Sequence, residues 1–319
     1  MNAPAKPSFH ASPLFHASRN GSMFHFDRLA CERIDPVNLF AVNDPSTHLQ
    51  RGAGHIGIEM VSGQSAATSV WASSPLKILV PHPRGPSVWA YLSSFGGGLV
   101  AGDQTNLTVQ LGPRTRCFLS TQASTKVYRN PAGLPCGHQL KANLDHDSLL
   151  VLAPDPVQAF AGSGYAQRHE FHLAPGSGLV LVDWLSSGRT ECGERWAFDS
   201  FRSRNDVFVG GERLLLDSLF LDGAQGKRQS AHRLGRFNCL ALVLVVGKSL
   251  AHAAQTILAE IAKLPVTRRG SLVMSASPVR DGALLRIAGE SVEEVGRAIH
   301  QRLGFVSDLL QDDPWARKW

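Results

Sequence analysis

The sequence predicts a mainly β protein, a two-layer, strand-rich scaffold with a small C-terminal α/β portion that carries two helices. Between residues 54 and 221, short runs rich in Val, Leu, Phe and Thr are separated by Gly, Pro, Asp or Asn, roughly every eight to twelve residues. Helical periodicity is weak throughout this region. Apolar residues at helical spacing appear only in the last quarter of the chain.

The apolar runs predict individual strands, and the residues between them predict turns. The clearest strands are residues 76–80, 88–92, 106–111, 115–120, 148–153, 169–173 and 179–184. Turn residues occur at 112–113, 154–156 and 175–176. Short strands at this spacing fit a sandwich, a barrel or a strand solenoid, and no repeat of fixed length separates the three.

The C-terminal portion begins with an apolar run at 237–246, which predicts a buried strand. A first helix follows, with apolar positions at Leu250, Ala253, Ala254, Ile257, Leu258 and Ile261. Strands are then expected at about 272–277 and 283–288. Ser291 and Glu294 form a capping box that opens a second helix, with apolar positions at Val295, Ile299, Leu303 and Val306. We expect these helices to contribute to partner binding.

Two segments differ in pattern, which suggests a boundary near residue 50. Residues 1–50 are rich in His, Asn, Ser and Pro and show neither strand nor helix periodicity, so we expect a mobile extension. Residues 51–319 form the main domain, with the strand-rich scaffold at 51–235 and the α/β portion at 236–319.

Composition limits the class of protein. Of 319 residues, 43% are hydrophobic and 18% charged, which is typical of a globular chain. Five cysteines without a C-x-x-C pair predict neither a disulfide framework nor a zinc knuckle. The N-terminus does not resemble a secretory signal, and no apolar run is long enough to span a membrane. These features predict a cytoplasmic protein that binds no membrane.

The net charge of +6 is modest, and the arginines are not arranged in a nucleic-acid motif, so we expect no nucleic-acid binding. Gly247-Lys248-Ser249 resembles the end of a phosphate-binding loop, but position 242 is Leu where that loop requires Gly. Thirteen histidines lack zinc spacing, so no closed metal site is predicted. Because a nucleophile elbow is also missing, an enzyme is not indicated.

Carboxylates are the more informative polar groups. Asp103, Asp155 and Glu194 each lie beside Gly or Pro, and Glu191 is close to Glu194. Buried carboxylates must be paired, hydrogen-bonded, hydrated or bound to a cation. Many such groups only close turns through bonds to the backbone. A pair such as Asp155 and Glu194 would also suit a carbohydrate-active enzyme on a strand solenoid.

Four motifs carry a family resemblance. Residues 95–103 read FGGGLVAGD, and residues 120–129 read STQASTKVYR. Pro154-Asp155-Pro156 is followed by FAG at 160–162, and SGR at 187–189 by CGER at 192–195. In this order, over about residues 54–319, they resemble the urease accessory protein family UreD, also called UreH. Gln158, Ala159 and Ala101 depart from the family pattern, as does the long extension before residue 50.

The resemblance implies both a fold and a function. The family has a strand-rich, solenoid-like scaffold of two sheets with C-terminal helices and no catalytic turnover of its own. Its members act with the all-helical protein UreF and the nickel-carrying GTPase UreG, and the assembly delivers nickel to apo-urease. The expectation is therefore a cytoplasmic metallochaperone scaffold without a tightly bound cofactor, which nickel contacts only transiently.

The resemblance also suggests residues for a nickel path. Weak carboxylate sites along a hydrated route would let a divalent cation enter and leave, and Asp103, Asp155 and Glu194 are the candidates. Gln122, Lys126, Arg189 and Glu191 are expected beside this route. The motifs are expected to be shaped by Gly96, Gly97, Gly98, Gly102, Tyr128, Pro154, Pro156, Gly188 and Gly193. A carbohydrate-active enzyme and a plain protein-binding module remain the alternatives.

Overall fold

The computed structural model describes residues 51–82, 84–223 and 228–316. All of them belong to one compact unit, His48–Trp319. The predictions made for residues 1–50 lie outside the described residues. None of the helices in the described ranges is both long enough and apolar enough to cross a membrane.

Strands dominate the structure. In chain order they are β1 (Arg51–Val61), β2 (Gln64–Ala72), β3 (Leu76–Leu79), β4 (Val88–Ser94), β5 (Gln104–Leu111), β6 (Arg116–Thr121), β7 (Thr125–Val127), β8 (Cys136–Leu144), β9 (Leu149–Leu152), β10 (Val157–Ala159), β11 (Gly164–Leu173), β12 (Gly178–Ser186), β13 (Ser200–Val209), β14 (Glu212–Asp222), β15 (Cys239–Val246), β16 (Leu272–Val279) and β17 (Gly282–Gly289). The helices are α1 (Arg228–Leu234), α2 (Ala251–Ala262), α3 (Val292–Arg302) and α4 (Val306–Leu310).

These strands form two sheets. Sheet A has the order β14-β13-β11-β8-β5-β1-β2, and sheet B has the order β16-β17-β15-β12-β9-β6-β4-β3. The short strands β7 and β10 pair with each other, and β10 also pairs with β12. The predicted two-layer, mainly β architecture is therefore confirmed.

Successive strands alternate between the sheets, which makes the scaffold solenoid-like. The chain passes from β5 in sheet A to β6 in sheet B, then to β8, β9, β11 and β12 in the same alternation. Each strand pairs in parallel with the strand one coil earlier, as β8 does with β5 and β9 with β6. Antiparallel hairpins end the coils, for example β13 with β14. Parallel register between coils selects the solenoid among the three architectures that the turn spacing allowed.

Sheet B is buried on both faces, which explains its nearly continuous apolar strands. In β15, Leu242 and Leu244 point into the core between the sheets, whereas Val243 and Val245 point outward beneath the helices. The apolar sides of α2, α3 and α4 cover that outer surface through Ala254, Ile257, Ile261, Val295, Ile299, Leu303, Val306 and Leu310. The helical apolar positions predicted from sequence are thus used largely by the core.

Sheet A follows a different pattern, because its strands alternate between core and surface. In β11, Phe171 and Leu173 are buried, whereas Arg168, Glu170 and His172 are only partly buried and face away from sheet B. One row of inward positions is polar instead of apolar, including Gln167 and His169. That row separates the larger inter-sheet core from a smaller aromatic core around Trp196, Phe198 and Phe201.

The second predicted C-terminal helix starts as expected, but the structure divides it into two helices, α3 and α4. Ser291 caps α3 by accepting a hydrogen bond from the Glu294 N–H at 3.2 Å, as the capping box predicts. The helix ends at Arg302, and α4 starts separately at Val306. Gly304 lies between them, and its low helix propensity accounts for the interruption. The short helix α1 was not predicted from the sequence.

Candidate functional site

The first motif, residues 95–103, forms the turn between β4 and β5. Gly96 and Gly97 have φ values of +83° and +71°, in the left-handed region that glycine tolerates. At Gly98, a Cβ atom would lie 2.5 Å from Tyr128 Cε2 and 2.7 Å from the Lys126 carbonyl oxygen, so this position requires glycine for a close approach. The motif therefore packs directly against the second motif.

Asp103 closes this same turn and is almost fully buried. Its Oδ2 accepts a hydrogen bond from the Val100 N–H at 2.9 Å, and its own N–H donates to the Val100 carbonyl at 3.0 Å. Gly102 precedes it with φ of +84°. These contacts are those of a carboxylate that braces a turn.

Asp155 is joined to the second motif through a side chain of β6. The Thr121 hydroxyl donates to Asp155 Oδ2 at 3.2 Å and accepts from the Asp155 N–H at 2.8 Å. On either side, the Pro154 carbonyl accepts from Trp184 Nε1 at 2.7 Å, and Pro156 is buried. The 154–156 turn is therefore fixed at the carboxyl end of β6.

Glu194 lies in the fourth motif and is paired with Arg189. Arg189 Nε donates to Glu194 Oε2 at 3.0 Å, and the same carboxylate accepts from the Ala161 N–H at 3.1 Å. The bond from Arg189 is the main cause that lowers the pKa of Glu194. Glu191 is exposed on the adjoining 3-10 turn, Thr190–Cys192. Gly188 and Gly193, both with positive φ, border this turn.

A cavity of about 210 Å³ lies between the two sheets, near the second and third motifs, and its lining mixes apolar residues with polar ones. Asp155 and Gln122 are among its lining residues. Asp103, Glu194, Lys126, Arg189 and Glu191 are not. Of the three predicted carboxylates, the fold thus places Asp155 alone on this cavity, whereas Asp103 and Glu194 hold their own turns.

Several polar residues that were not predicted as site residues also line the cavity. They come from three strands of sheet A (β5, β8 and β11) and one strand of sheet B (β12): Thr105, His138, Gln167, His169 and Asp183. Asp183 is the centre of the group. Its carboxylate accepts from Gln167 Nε2 at 2.6 Å, from Asn205 Nδ2 at 2.8 Å and from the Ser203 hydroxyl.

The two histidines of the cavity are held neutral. Burial, and to a smaller extent the neighbouring His169 with its ring centroid 5.9 Å away, lower the pKa of His138 to about 3. Burial also lowers the pKa of His169, and nearby Asp183 and Asn205 oppose the shift. Neutral imidazole is the form that binds metal ions.

The hydrogen bonds also assign the tautomer of His169. Asn205 donates its Nδ2 to Asp183, so its Oδ1 is the acceptor that lies 2.8 Å from His169 Nδ1. Nδ1 must therefore carry the proton, which leaves the lone pair on Nε2. An oriented imidazole with a bonded Nδ1–H is the usual arrangement of a histidine that offers Nε2 to a ligand.

Asp183 also lines a second cavity of about 400 Å³, on the side of β14. This cavity opens between β14 and the strands β15, β16 and β17. Asp217 and Arg286 lie at its wall and form an ion pair of 2.9 Å. Asp183 therefore borders a cavity on two sides of the inter-sheet core.

The remaining potential metal ligands are poorly placed. Burial raises the pKa of Cys117, Cys136 and Cys239 to about 12, so these cysteines are thiols at neutral pH. Within the described ranges, no three His, Cys, Asp or Glu side chains are grouped to hold a metal ion. The cavity offers dispersed nitrogen and oxygen donors instead.

One feature of the sequence could have identified Asp183, the residue at the centre of this site. Asp183 is the only charged residue in the otherwise apolar strand Gly178–Ser186. A carboxylate in a strand buried on both faces must have partners. His138 and His169 gave no comparable signal, because their proximity depends on the register between β8 and β11.

Comparison with known proteins agrees with the motifs. The family described as UreD urease accessory protein matches residues 50–319. A protein of Sorangium cellulosum named urease accessory protein UreD is 46% identical over 269 residues, covering 84% of each chain. One of Anaeromyxobacter with the same name is 42% identical, covering 86% of this chain and 91% of its own.

The similarity extends to plants. Urease accessory protein D of Arabidopsis thaliana is 32% identical over 293 residues, covering 82% of this chain and 99% of its own. These relatives are named as accessory proteins and not as enzymes. The match over 50–319, together with the four motifs and the two-sheet solenoid, shows that this chain belongs to the UreD family of urease accessory proteins.

Proposed function

We propose that this chain is a scaffold and metallochaperone for the nickel centre of urease, and that nickel passes transiently along the row of polar side chains between its two sheets. The observation that carries the proposal is the row of polar residues around Asp183, inside an otherwise apolar core and next to two cavities. Burying this row requires a network of hydrogen bonds that an apolar core would not need, and we infer that the row is kept for a function besides packing.

The donor set suits a cation that must leave again. Neutral imidazole nitrogen and carboxylate oxygen bind nickel, but a tight site requires several of them at once. His138, His169 and Asp183 lie around the cavity without forming such a cluster. Dispersed donors lower the energy of a passing cation without trapping it, as conduction requires.

Asp155 and Gln122 belong to the outer part of this route, since they line the same cavity at the end of β6. The roles suggested for Asp103 and Glu194 stay predictions, because both carboxylates already bond neighbouring groups. The same holds for Lys126, Arg189 and Glu191. A carbohydrate-active enzyme that uses Asp155 and Glu194 gains no support, because only Asp155 lines the cavity.

The proposed partners follow from family membership. A UreF-like helical protein, a UreG-like GTPase and apo-urease would meet this chain in the cytoplasm. In this arrangement the GTPase supplies nickel, the present chain conducts it, and no cofactor stays bound. The identity of these partners rests on the resemblance of the motifs.

Reconstituted nickel loading of urease tests the proposal. Apo-urease, this chain, its UreF-like and UreG-like partners, GTP and nickel are combined, and nickel bound to urease is measured by atomic absorption. Asp155→Asn and Asp183→Asn should reduce loading while the complex still forms in size-exclusion chromatography. Asp145→Asn is the matched control, because Asp145 is outside both cavities.

Nickel loading by the cavity variants and by the control distinguishes a nickel route from a role as scaffold alone. Reduced nickel loading by the cavity variants, with normal complex formation and normal loading by the control, supports the route. If both cavity variants load urease as fast as the wild type, nickel does not use this path, and the chain acts only as a scaffold.

A further inference from the structure

The outer surface of sheet A carries a concentration of arginines that the nickel route does not use. It lies on β8, β11, β13 and β14, on the side that faces away from sheet B. We call it the arginine face and define it by Lys141, Arg168, Arg202, Arg204 and Arg213. Register brings these side chains together, since Arg168 pairs with Arg204 across β11 and β13, and Arg202 lies opposite Phe220 of β14.

The face is positively charged because its carboxylates are too few. Asp206, whose side chain is only 1% exposed, contacts Arg204 at 2.7 Å, Arg213 at 3.5 Å and Arg168 at 3.8 Å. A second carboxylate, Glu170, contacts His172 at 2.7 Å, Lys141 at 3.1 Å and Arg168 at 3.2 Å. Two carboxylates are thus shared among four cations.

Arg202 adds a further positive charge. Its guanidinium lies over the Phe220 ring, 4.3 Å from the centroid, and within the described ranges it contacts no carboxylate. Arg213 stacks in the same way on Phe208, at 5.3 Å. Aromatic rings hold these guanidinium groups in place without neutralising them. Arg202, fixed over its ring and without a carboxylate contact among the described residues, is suited to bind a carboxylate, whereas Arg213 already pairs with Asp206 at 3.5 Å.

Exposed apolar side chains border the charged group. Phe220 is 50% exposed and Leu216 is 46% exposed, and both project from β14 on the same side as the arginines. The contrast with sheet B is clear, because its outer surface is covered by α2, α3 and α4. Among the described residues, no helix covers the outer surface of sheet A.

β14 is also an edge strand. It pairs with β13 on one side, and in the described part of the chain no strand pairs with its other side. Every second residue of an edge strand directs its N–H and C=O groups outward, where an added strand can bond them. At eleven residues, β14 is long enough for such pairing.

We propose that the arginine face and the free edge of β14 bind an extended acidic segment of a partner protein, in which acidic and apolar residues alternate. The segment would add a strand beside β14, where alternation places its acidic side chains on the outer side, toward the arginines, and its apolar side chains on the opposite side. A peptide is favoured over a nucleic acid because the aromatic faces are already covered by guanidinium groups, and because an edge strand bonds a peptide backbone. This inference does not depend on the nickel route.

Binding of synthetic probes tests the proposal. The probe is a fluorescein-labelled peptide that alternates Glu with Leu and Val, compared with its Lys counterpart and with a mixed-sequence DNA duplex. The double variant R202E/R213E should weaken acidic peptide binding roughly tenfold in fluorescence anisotropy, since two exposed charge contacts are reversed. The double variant R268E/R269E is the control, with the same charge change on an exposed turn before β16.

A second pair of double variants, in which Gln replaces Arg, keeps the test valid if the charge-reversed protein does not fold. Arg213 helps to neutralise Asp206, so R202Q/R213Q is measured against R268Q/R269Q if the reversed variant does not give a native circular dichroism spectrum. The proposal is supported if only the variants on the arginine face lose affinity, if salt weakens binding, and if β14 amides become protected from hydrogen exchange with peptide bound. Equal loss in both pairs, no acidic peptide binding, or tighter binding of the duplex overturns it.

Discussion

Asn205 Nδ2 on β13 donates a hydrogen bond of 2.8 Å to Asp183 on β12, and this bond joins the two sheets of the solenoid. The same amide accepts from His169 through its oxygen at 2.8 Å. One asparagine thus links a carboxylate of sheet B to an imidazole of sheet A. The bonds fix the side chains around the inter-sheet cavity, and they make Asp183 important for stability as well as for the proposed route.

Asp183→Ala should destabilise the fold. The substitution leaves donors of Gln167, Ser203 and Asn205 without their acceptor, and we expect a loss of about 2–4 kcal/mol in the free energy of unfolding. Urea denaturation followed by tryptophan fluorescence measures it. Asp145→Ala, at a partly exposed turn position, should change stability by less than about 0.5 kcal/mol. Equal free energies of unfolding for the two variants would show that the hydrogen bonds to Asp183 do not contribute to stability.

His138 should make stability depend on pH. Its folded pKa of about 3 lies below the value near 6.5 of an unfolded histidine, so the unfolded chain binds more protons at intermediate pH. Stability from this residue is therefore present above about pH 6.5 and is lost as pH falls toward 3, by up to about 1.4 kcal/mol per pH unit.

The measurement compares slopes between variants. Free energies of unfolding from urea titrations between neutral and moderately acidic pH should decline less steeply in His138→Gln than in the wild type. His252→Gln, at an exposed position of α2, is the control and should keep the wild-type slope. Parallel curves for wild type and His138→Gln would contradict the low pKa.

Gly98→Ala should destabilise the contact between the first two motifs. The new methyl group would lie 2.7 Å from the Lys126 carbonyl oxygen, so backbone must move, and we expect a cost of roughly 1–3 kcal/mol. Gly296→Ala in α3 is the matched control, since the nearest neighbouring atom would be 3.5 Å away. That helix substitution should stabilise by up to about 1 kcal/mol. Thermal unfolding should give a lower midpoint temperature for Gly98→Ala and an unchanged or higher one for Gly296→Ala, each compared with the wild type.

Truncation after Gly289 should unfold the protein. The deleted segment contains Val295, Ile299, Leu303 and Val306, all at most 2% exposed and packed on sheet B. Their loss exposes the outer apolar surface of that sheet, so loss of partner binding would reflect unfolding. Near-ultraviolet circular dichroism and solubility measure the outcome. A folded, soluble truncated chain would show instead that the helices are available for docking.

Leu303→Ala gives a graded version of the same experiment. The side chain is fully buried between α3 and sheet B, so its truncation should cost about 2–5 kcal/mol without removing either helix. A variant that stays folded but weakens partner binding would indicate that α3 and α4 also contact the partner.

Sequence patterns were sufficient wherever structure depends on neighbours in the chain. The apolar run at 237–246 predicted β15, and Ser291 with Glu294 predicted the start of α3. The order of four motifs identified the family, which the comparisons then confirmed. Each of these features depends on local periodicity, capping or short motifs, and a linear sequence records them directly.

The candidate site depended on contacts between distant residues, which only the tertiary structure decided. His138 and His169 are 31 positions apart, and parallel register between β8 and β11 places them on one row. Asp155 and Glu194 occupy similar turns in the sequence, yet coil stacking puts Asp155 on the cavity and leaves Glu194 beside Arg189. Local composition determined which residues form strands and turns. The register between coils determined which polar side chains meet, because hydrogen bonds between strands do not depend on separation along the chain.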